Sequence, residues 1–324
     1  TLIFCSFPYS NKNNNMGPPP DSLSVWASSW GEKSLWGKGG RTIQHHYFHL
    51  SPDPSGCGHG PGDRPCASFS TASIVAMGSV AGAPPPSRRI LGTDDPCIVA
   101  MQKMMRGKEG VLSLAQGIVY WNPPHEAMAT ASAAMEEAST NSYCADDGLP
   151  AFKEMLAKKI REENCLYDSN VMVTSGSNQA YTNVVLATLD AGDKAVLFAP
   201  FYFNHAMAVQ MTGAEVIQGH STADLLPDLD WLQSCLSAPP GSRPKLVTLV
   251  NPGNPSGVML PKDLLQRAQA LCSSAGAWLV VDNAYEYFSY EADGHPPHAC
   301  IEGPGVINTF SFSSRAHRTF VILV

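Results

Sequence analysis

Apolar and polar positions alternate between two rhythms from about residue 146 to residue 313. In "DDGLPAFKEMLAKKIREEN" (146–164), Phe152, Met155, Leu156 and Ile160 fall on one face at a spacing of about 3.6, Pro150 stands in the first turn, and acids gather at the start. That pattern predicts an amphipathic helix. Short apolar runs follow: "VMVTS" (171–175), "AVLFAP" (195–200), "EVIQG" (215–219), "KLVTLVNP" (245–252), "WLVVDN" (278–283) and "VINTFSFS" (306–313). Several are separated by stretches of helical period, such as 178–189 and 261–274. Runs that are apolar throughout belong to strands buried on both faces, so the expectation is an α/β fold: a mainly parallel sheet with helices on both faces. In such sheets the working side chains collect beyond the carboxyl ends of the strands.

Residues 1–76 break with this pattern. They are dense in Ser, Pro, Gly and His and hold neither period, which predicts a low-complexity, disordered extension. His45, His46, Cys57 and Cys66 lie there, but the paired spacing of a structural zinc site is missing, so no metal is expected. The stretch is Ser-rich and poor in acids, which also fits an organelle transit peptide. The chain begins at Thr1, and Met77 in "MGSVAGAPPPSRR" reads as a more natural start. Three regions result: the extension, an N-terminal segment over 77–140 serving as an arm and part of a small domain, and a large domain over 141–324.

Composition narrows the partners. The chain has 324 residues, 44% hydrophobic and 15% charged, with a net charge of −7 and a pI near 5.8. Without a basic run, nucleic acid and anionic membranes are poor partners, and small molecules are expected. Nine scattered cysteines suit reduced thiols in a cytoplasmic setting.

The strand ends carry the candidate chemistry. "TSGSNQA" closes the first run: Gly176 permits a tight turn, and Ser177 and Asn178 open a helix whose free N–H groups suit a phosphate, although Ser177 taken alone reads rather as a plain helix cap. No Gly-Lys-Ser/Thr follows, so this is not a nucleotide P-loop. "PFYFN" puts Tyr202 at the same edge, as a ring for stacking or as core. "NPGNPSG" stiffens a turn around Asn251 and Asn254. "DNAY" brings Asp282 out of four apolar residues, either to cap a helix or to meet a cation such as a ring nitrogen, with Tyr285 three residues on. One ligand satisfies all these sites: pyridoxal 5'-phosphate.

From about Arg88 to Ser313 the chain resembles the fold-type I, class I/II aminotransferases, in particular a plant aromatic or methionine aminotransferase-like branch. "SLAQGIVYWNPP", "SYCADDGLPAFKEML", "VTSGSNQA", "PFYFN", "NPGNPSGV", "VVDNAYEYF" and "NTFSFS" occur in the family's order. The resemblance implies that Gly176, Ser177 and Asn178 hold the phosphate, with Ser311 and Ser313 also at the cofactor. It implies that Tyr202 stacks on the ring, that Asn254 and Tyr285 bond the ring's phenolic oxygen, and that Asp282 keeps the ring nitrogen protonated. Tyr143 matches a tyrosine lent to the other subunit's phosphate site, which implies a homodimer. Gly117 would lie where the substrate carboxylate rests, with Tyr120 and Trp121 lining a side-chain pocket, a position that core packing would also explain. Amino acids and 2-oxo acids are the implied substrates.

The resemblance breaks after Ser313. The family places there a lysine that forms an imine with the cofactor and moves the substrate proton; this chain has Ser314. A hydroxyl forms no imine and is no comparable base, and the adjacent Arg315 stays protonated, so the expectation is an inactive chain with no catalytic residue at that position. The family's C-terminal small domain is expected to be missing. So is its next strand, which would leave two unpaired edges in the sheet unless "TFVILV" (319–324) fills the gap. Two rival functions share the cofactor residues: a carbon–sulfur lyase, and a truncated binding or regulatory chain.

Overall fold

A computed structural model of the chain describes residues 84–112, 122–289, 297–311 and 320–323. The expectations for residues 1–76, for Gly117, Tyr120 and Trp121, and for Ser313 and Ser314 fall outside these residues.

Three short helices come first, α1 (Arg88–Leu91), α2 (Cys97–Met105) and α3 (His125–Met135), and none contains a buried residue. Asp94 ties this segment to the large domain: its backbone N–H and carboxylate bond the Gln210 amide at 3.0 and 2.7 Å. Beyond them come α4 (Pro150–Asn164), β1 (Val171–Met172), α5 (Ser177–Thr188), β2 (Lys194–Phe198), α6 (Phe203–Thr212), β3 (Glu215–Gly219), α7 (Leu229–Leu236), β4 (Leu246–Val250), α8 (Lys262–Ala275), β5 (Trp278–Asn283), β6 (Val306–Ser311) and β7 (Phe320–Leu323). Predicted strands 215–219 and 278–283 coincide with β3 and β5, while the first run yields a strand of two residues only.

Helix α4 starts as its sequence demands, with Pro150 at the first position, where its missing N–H costs nothing. Its buried face needs correction at one residue. Leu156 and Ile160 are buried and Phe152 packs against them, but Met155 is 69% exposed. The stripe runs at steps of four from Phe152, and Met155 lies off to its side.

The strand order is β1-β7-β6-β5-β4-β2-β3, parallel from β3 through β6, with β7 antiparallel to both β1 and β6. β7 therefore fills the gap that the sequence leaves open, with its backbone pairing Met172 to Ile322 and Phe310 to Val321. Both faces are covered. Val247, Leu279 and Val281 pack under Leu232 of α7 and Leu265 of α8. Leu246, Val280 and Ile307 pack under Val185 of α5 and Val209 of α6. Each buried aliphatic side chain is worth roughly 1.5–3 kcal/mol, which fixes which face each strand residue takes. Since side chains alternate, Thr248, Asp282 and Thr309 share the α5–α6 face with Leu246, Val280 and Ile307.

Candidate active site

The site forms where β4, β5 and β6 end beneath α5 and α6. Parallel pairing sets Asp282 directly between Val250 and Thr309. Its side chain is 7% exposed. Oδ1 accepts from Thr309 Oγ1 at 2.8 Å and from the Ala284 N–H at 3.2 Å. Oδ2 lies 3.1 Å from His205 Nε2. The Ala284 bond closes a turn over 284–287 rather than a helix, so Asp282 is not the helix cap that the sequence allowed, and the bond uses only part of the carboxylate's acceptor capacity. Among the described residues, no lysine or arginine pairs with Asp282.

His205, in the first turn of α6, links three elements. Its ring is 4.0 Å from Tyr181 of α5 and meets Tyr202 edge-on at 5.3 Å, centroid to centroid. Tyr181 hydrogen-bonds Thr248 at 2.8 Å, and burial pushes its phenol above the usual range. The Tyr202 hydroxyl accepts from Asn204 at 2.7 Å and is also bonded by the Asn178 side chain at the start of α5. Burial raises the Tyr202 and Tyr285 phenols, and the Asp282 charge adds to both shifts. Asp282, Tyr202, Tyr285 and the opening of α5 thus converge, as a single shared ligand requires.

At the start of α5 the backbone is shaped for an anion. Gly176 caps the helix at φ 117°, ψ 146°, a conformation that only glycine adopts readily, and no side chain caps the helix. Ser177 is therefore the first helical residue, not the cap, and first-turn N–H groups are free for a phosphate. Asn254 lines a cavity of about 40 Å³ with His205, Thr248 and Val250. Asn251 is committed elsewhere: it is fully buried, accepting from Leu260 N–H and donating to the Ala299 carbonyl. Ser311 is half-buried at the end of β6. Tyr143 is 91% exposed.

Sequence reasoning missed His205 and Thr309. The signal for each is a polar residue inside an otherwise apolar stretch, "FNHAMAV" and "VINTF", but neither shows its partner.

Comparisons with known proteins cover the stretch of chain that carries these residues. The family model described as aminotransferase class I and II matches residues 109–314. The aromatic aminotransferase ISS1 of Arabidopsis thaliana is 48% identical over 229 residues, covering 70% of this chain and 57% of that protein. The chain belongs to the class I and II aminotransferase family. A second relative within it, the aspartate/prephenate aminotransferase of Thermus thermophilus, is 26% identical and covers 65% of this chain and 56% of its own length. The chain thus spans a little over half the length of these relatives. Among solved structures, an aminotransferase from Mycobacterium tuberculosis superposes with a TM-score of 0.65 at 21% identity, covering 75% of this chain and 64% of that one. That likeness shows the fold: the large domain of a fold-type I aminotransferase.

The cofactor of this family is pyridoxal 5'-phosphate. The residues present fit it. Asp282 is a buried carboxylate with capacity for one more donor and no fixed cation, which a protonated ring nitrogen supplies. His205 Nδ1 is buried with no partner among the described residues, so the Asp282 side of the pocket still has polar capacity to satisfy.

Proposed function

We propose that this chain is the cofactor-binding large domain of an aminotransferase acting on aromatic amino acids or methionine with 2-oxo acids as acceptors, and that with serine at position 314 it holds its cofactor without a covalent link and does not turn over. The observation that carries the reading is the buried Asp282–His205 pair at 3.1 Å, set beside Tyr202, Tyr285 and the N-terminus of α5. The aromatic preference rests on the likeness to the Arabidopsis protein.

Bound there, pyridoxal phosphate would supply an electron sink for the pair released when a bond at the amino-acid α-carbon breaks. The chain's residues do the rest. The N–H groups that open α5, with Ser177, take the phosphate. Tyr202 covers a ring face, while Asn254 and Tyr285 bond the phenolic oxygen. Asp282, steadied by His205 and Thr309, keeps the proton on the ring nitrogen. The position that would move the substrate proton holds a serine, which is no base near neutral pH. Tyr143, fully in reach of solvent, would lend its hydroxyl to the phosphate site of a second copy in a homodimer. The acidic net charge supports small-molecule partners over nucleic acid or membrane, and the free thiols support a cytoplasmic setting. Among the described residues, no helix is long and apolar enough to cross a membrane.

The test compares the unaltered chain with Ser314→Lys. Both should bind pyridoxal phosphate; dialysis should strip it from the first, and borohydride should fix it covalently only in the second. Failure of both to bind would overturn the assignment, and fixation in the unaltered chain would overturn the role given to position 314. A Ser314→Lys protein that releases ammonia rather than transferring an amino group would favour the lyase.

A further inference from the structure

The turn that follows β5 presents Tyr285 to the site and, one residue on, sends Glu286 the opposite way. The turn is closed by two backbone bonds, Glu286 N–H to the Asn283 carbonyl at 3.0 Å and Phe288 N–H to the Tyr285 carbonyl at 2.8 Å. The Glu286 side chain is 4% exposed. One of its oxygens accepts from the Lys159 ammonium at 2.6 Å and the other from the Asn164 amide at 2.6 Å, while Lys159 also donates to Asn164 at 2.8 Å. The three side chains form a closed ring. Both helical members come from the last turns of α4, and the Tyr287 hydroxyl adds a bond to Glu163 of the same helix at 2.6 Å. Lys159 is held from above as well, 5.0 Å from the Tyr287 ring and 5.1 Å from the Phe310 ring.

Phe310 packs in the α4 cluster, on the face of β6 opposite Thr309. Lys159 therefore lies behind the sheet from Asp282 and cannot stand in for the amine that position 314 lacks. What it does instead follows from the energetics of buried charge. An ion pair out of water roughly breaks even against apolar side chains of the same size, so this one contributes little net stability. What it does fix is geometry, because moving the turn would part the buried Glu286 carboxylate from the Lys159 ammonium.

We propose that Glu286, clamped by Lys159 and Asn164, is a positioning residue that holds Tyr285 beside Asp282 for the phenolic oxygen of the cofactor. The proposal rests on the pyridoxal phosphate reading above and extends it to residues on the far side of the sheet. Burial pushes the Glu286 carboxyl up, against the pull of Lys159 and the Asn164 hydrogen bond, which agrees with a group whose ionised form depends on these two partners.

The test is a double-mutant cycle in pyridoxal phosphate affinity, read by quenching of protein fluorescence in the full chain. Tyr285→Phe alone should weaken binding about tenfold, the loss of one hydrogen bond to a charged group. In a Lys159→Met/Glu286→Gln background, which removes both charges together and so avoids a lone buried ion, Tyr285→Phe should change affinity by less than about twofold. Hydrogen exchange without cofactor should show the Glu286 and Phe288 amides losing protection in that background, while the strand amides of β4 and β5 keep theirs. A tenfold effect of Tyr285→Phe in both backgrounds overturns the proposal. If the unaltered chain binds no pyridoxal phosphate, the functional reading fails, and hydrogen exchange alone decides the anchoring: unchanged protection of the turn overturns it.

Discussion

Acidification should destabilise this protein through His298, a residue outside the ligand cluster but bonded to its framework. The ring lies 3.0 Å from Asn283 Oδ1 and hydrogen-bonds the backbone at Asn251. Burial, aided by the nearby Lys159 charge, lowers its pKa from 6.5 to about 4. In the unfolded chain the ring takes up its proton near 6.5; in the folded one it resists until about 4. The stabilisation is complete above the unfolded value, is lost as pH falls through the gap, and levels off below the folded value. Each pH unit is worth about 1.4 kcal/mol, so the gap amounts to about 3 kcal/mol, trimmed to about 2 kcal/mol by partial solvent access. Urea unfolding at neutral pH and near pH 4, on the unaltered chain and on His298→Gln, separates this from the carboxylates, which titrate in both. The unaltered chain should lose about 2 kcal/mol more than the variant. Equal losses would refute the assignment.

Two further outcomes are expected. Asp282→Asn keeps the side-chain shape but removes the charge opposite the ring nitrogen, and should weaken pyridoxal phosphate binding by about ten- to a hundredfold in a fluorescence titration; unchanged affinity would remove Asp282 from the site. Val321→Pro deletes a backbone donor from β7 between β1 and β6, and should cost about 1–3 kcal/mol in urea unfolding and expose the Val171 and Phe310 amides to exchange. A neutral result would mean that the sheet does not depend on the pairing seen here.

Much of the fold was legible because its signals are local. "EVIQG" and "WLVVDN" delimit their strands residue for residue, and in the second the apolar residues from Leu279 to Val281 lie buried in a covered parallel sheet. Met155 shows the limit of such reading: four apolar residues in one helix suggest a face, but only the partner surface decides which of them it covers. At the site, Ser177, Tyr202, Asn254, Asp282 and Tyr285 could be named from the strand ends that carry them. Asn251, in the same motif as Asn254, could not be told apart from it until its two backbone partners were placed.

The sequence by itself determined the element order, the residues offered at the carboxyl edge, and the serine where the family keeps a lysine. The tertiary structure alone decided which distant side chains meet. His205 reaches Asp282, and Thr309 reaches it from the next strand, because register and face are properties of the assembled sheet. Lys159 finds Glu286 for the same reason, since a buried charge is tolerable only where packing delivers its partner, and no local pattern records that delivery. The last strand makes the point most directly: "FVIL" is merely apolar and β-branched in sequence, and it becomes β7 because two neighbouring strands present unpaired backbone edges that must be satisfied.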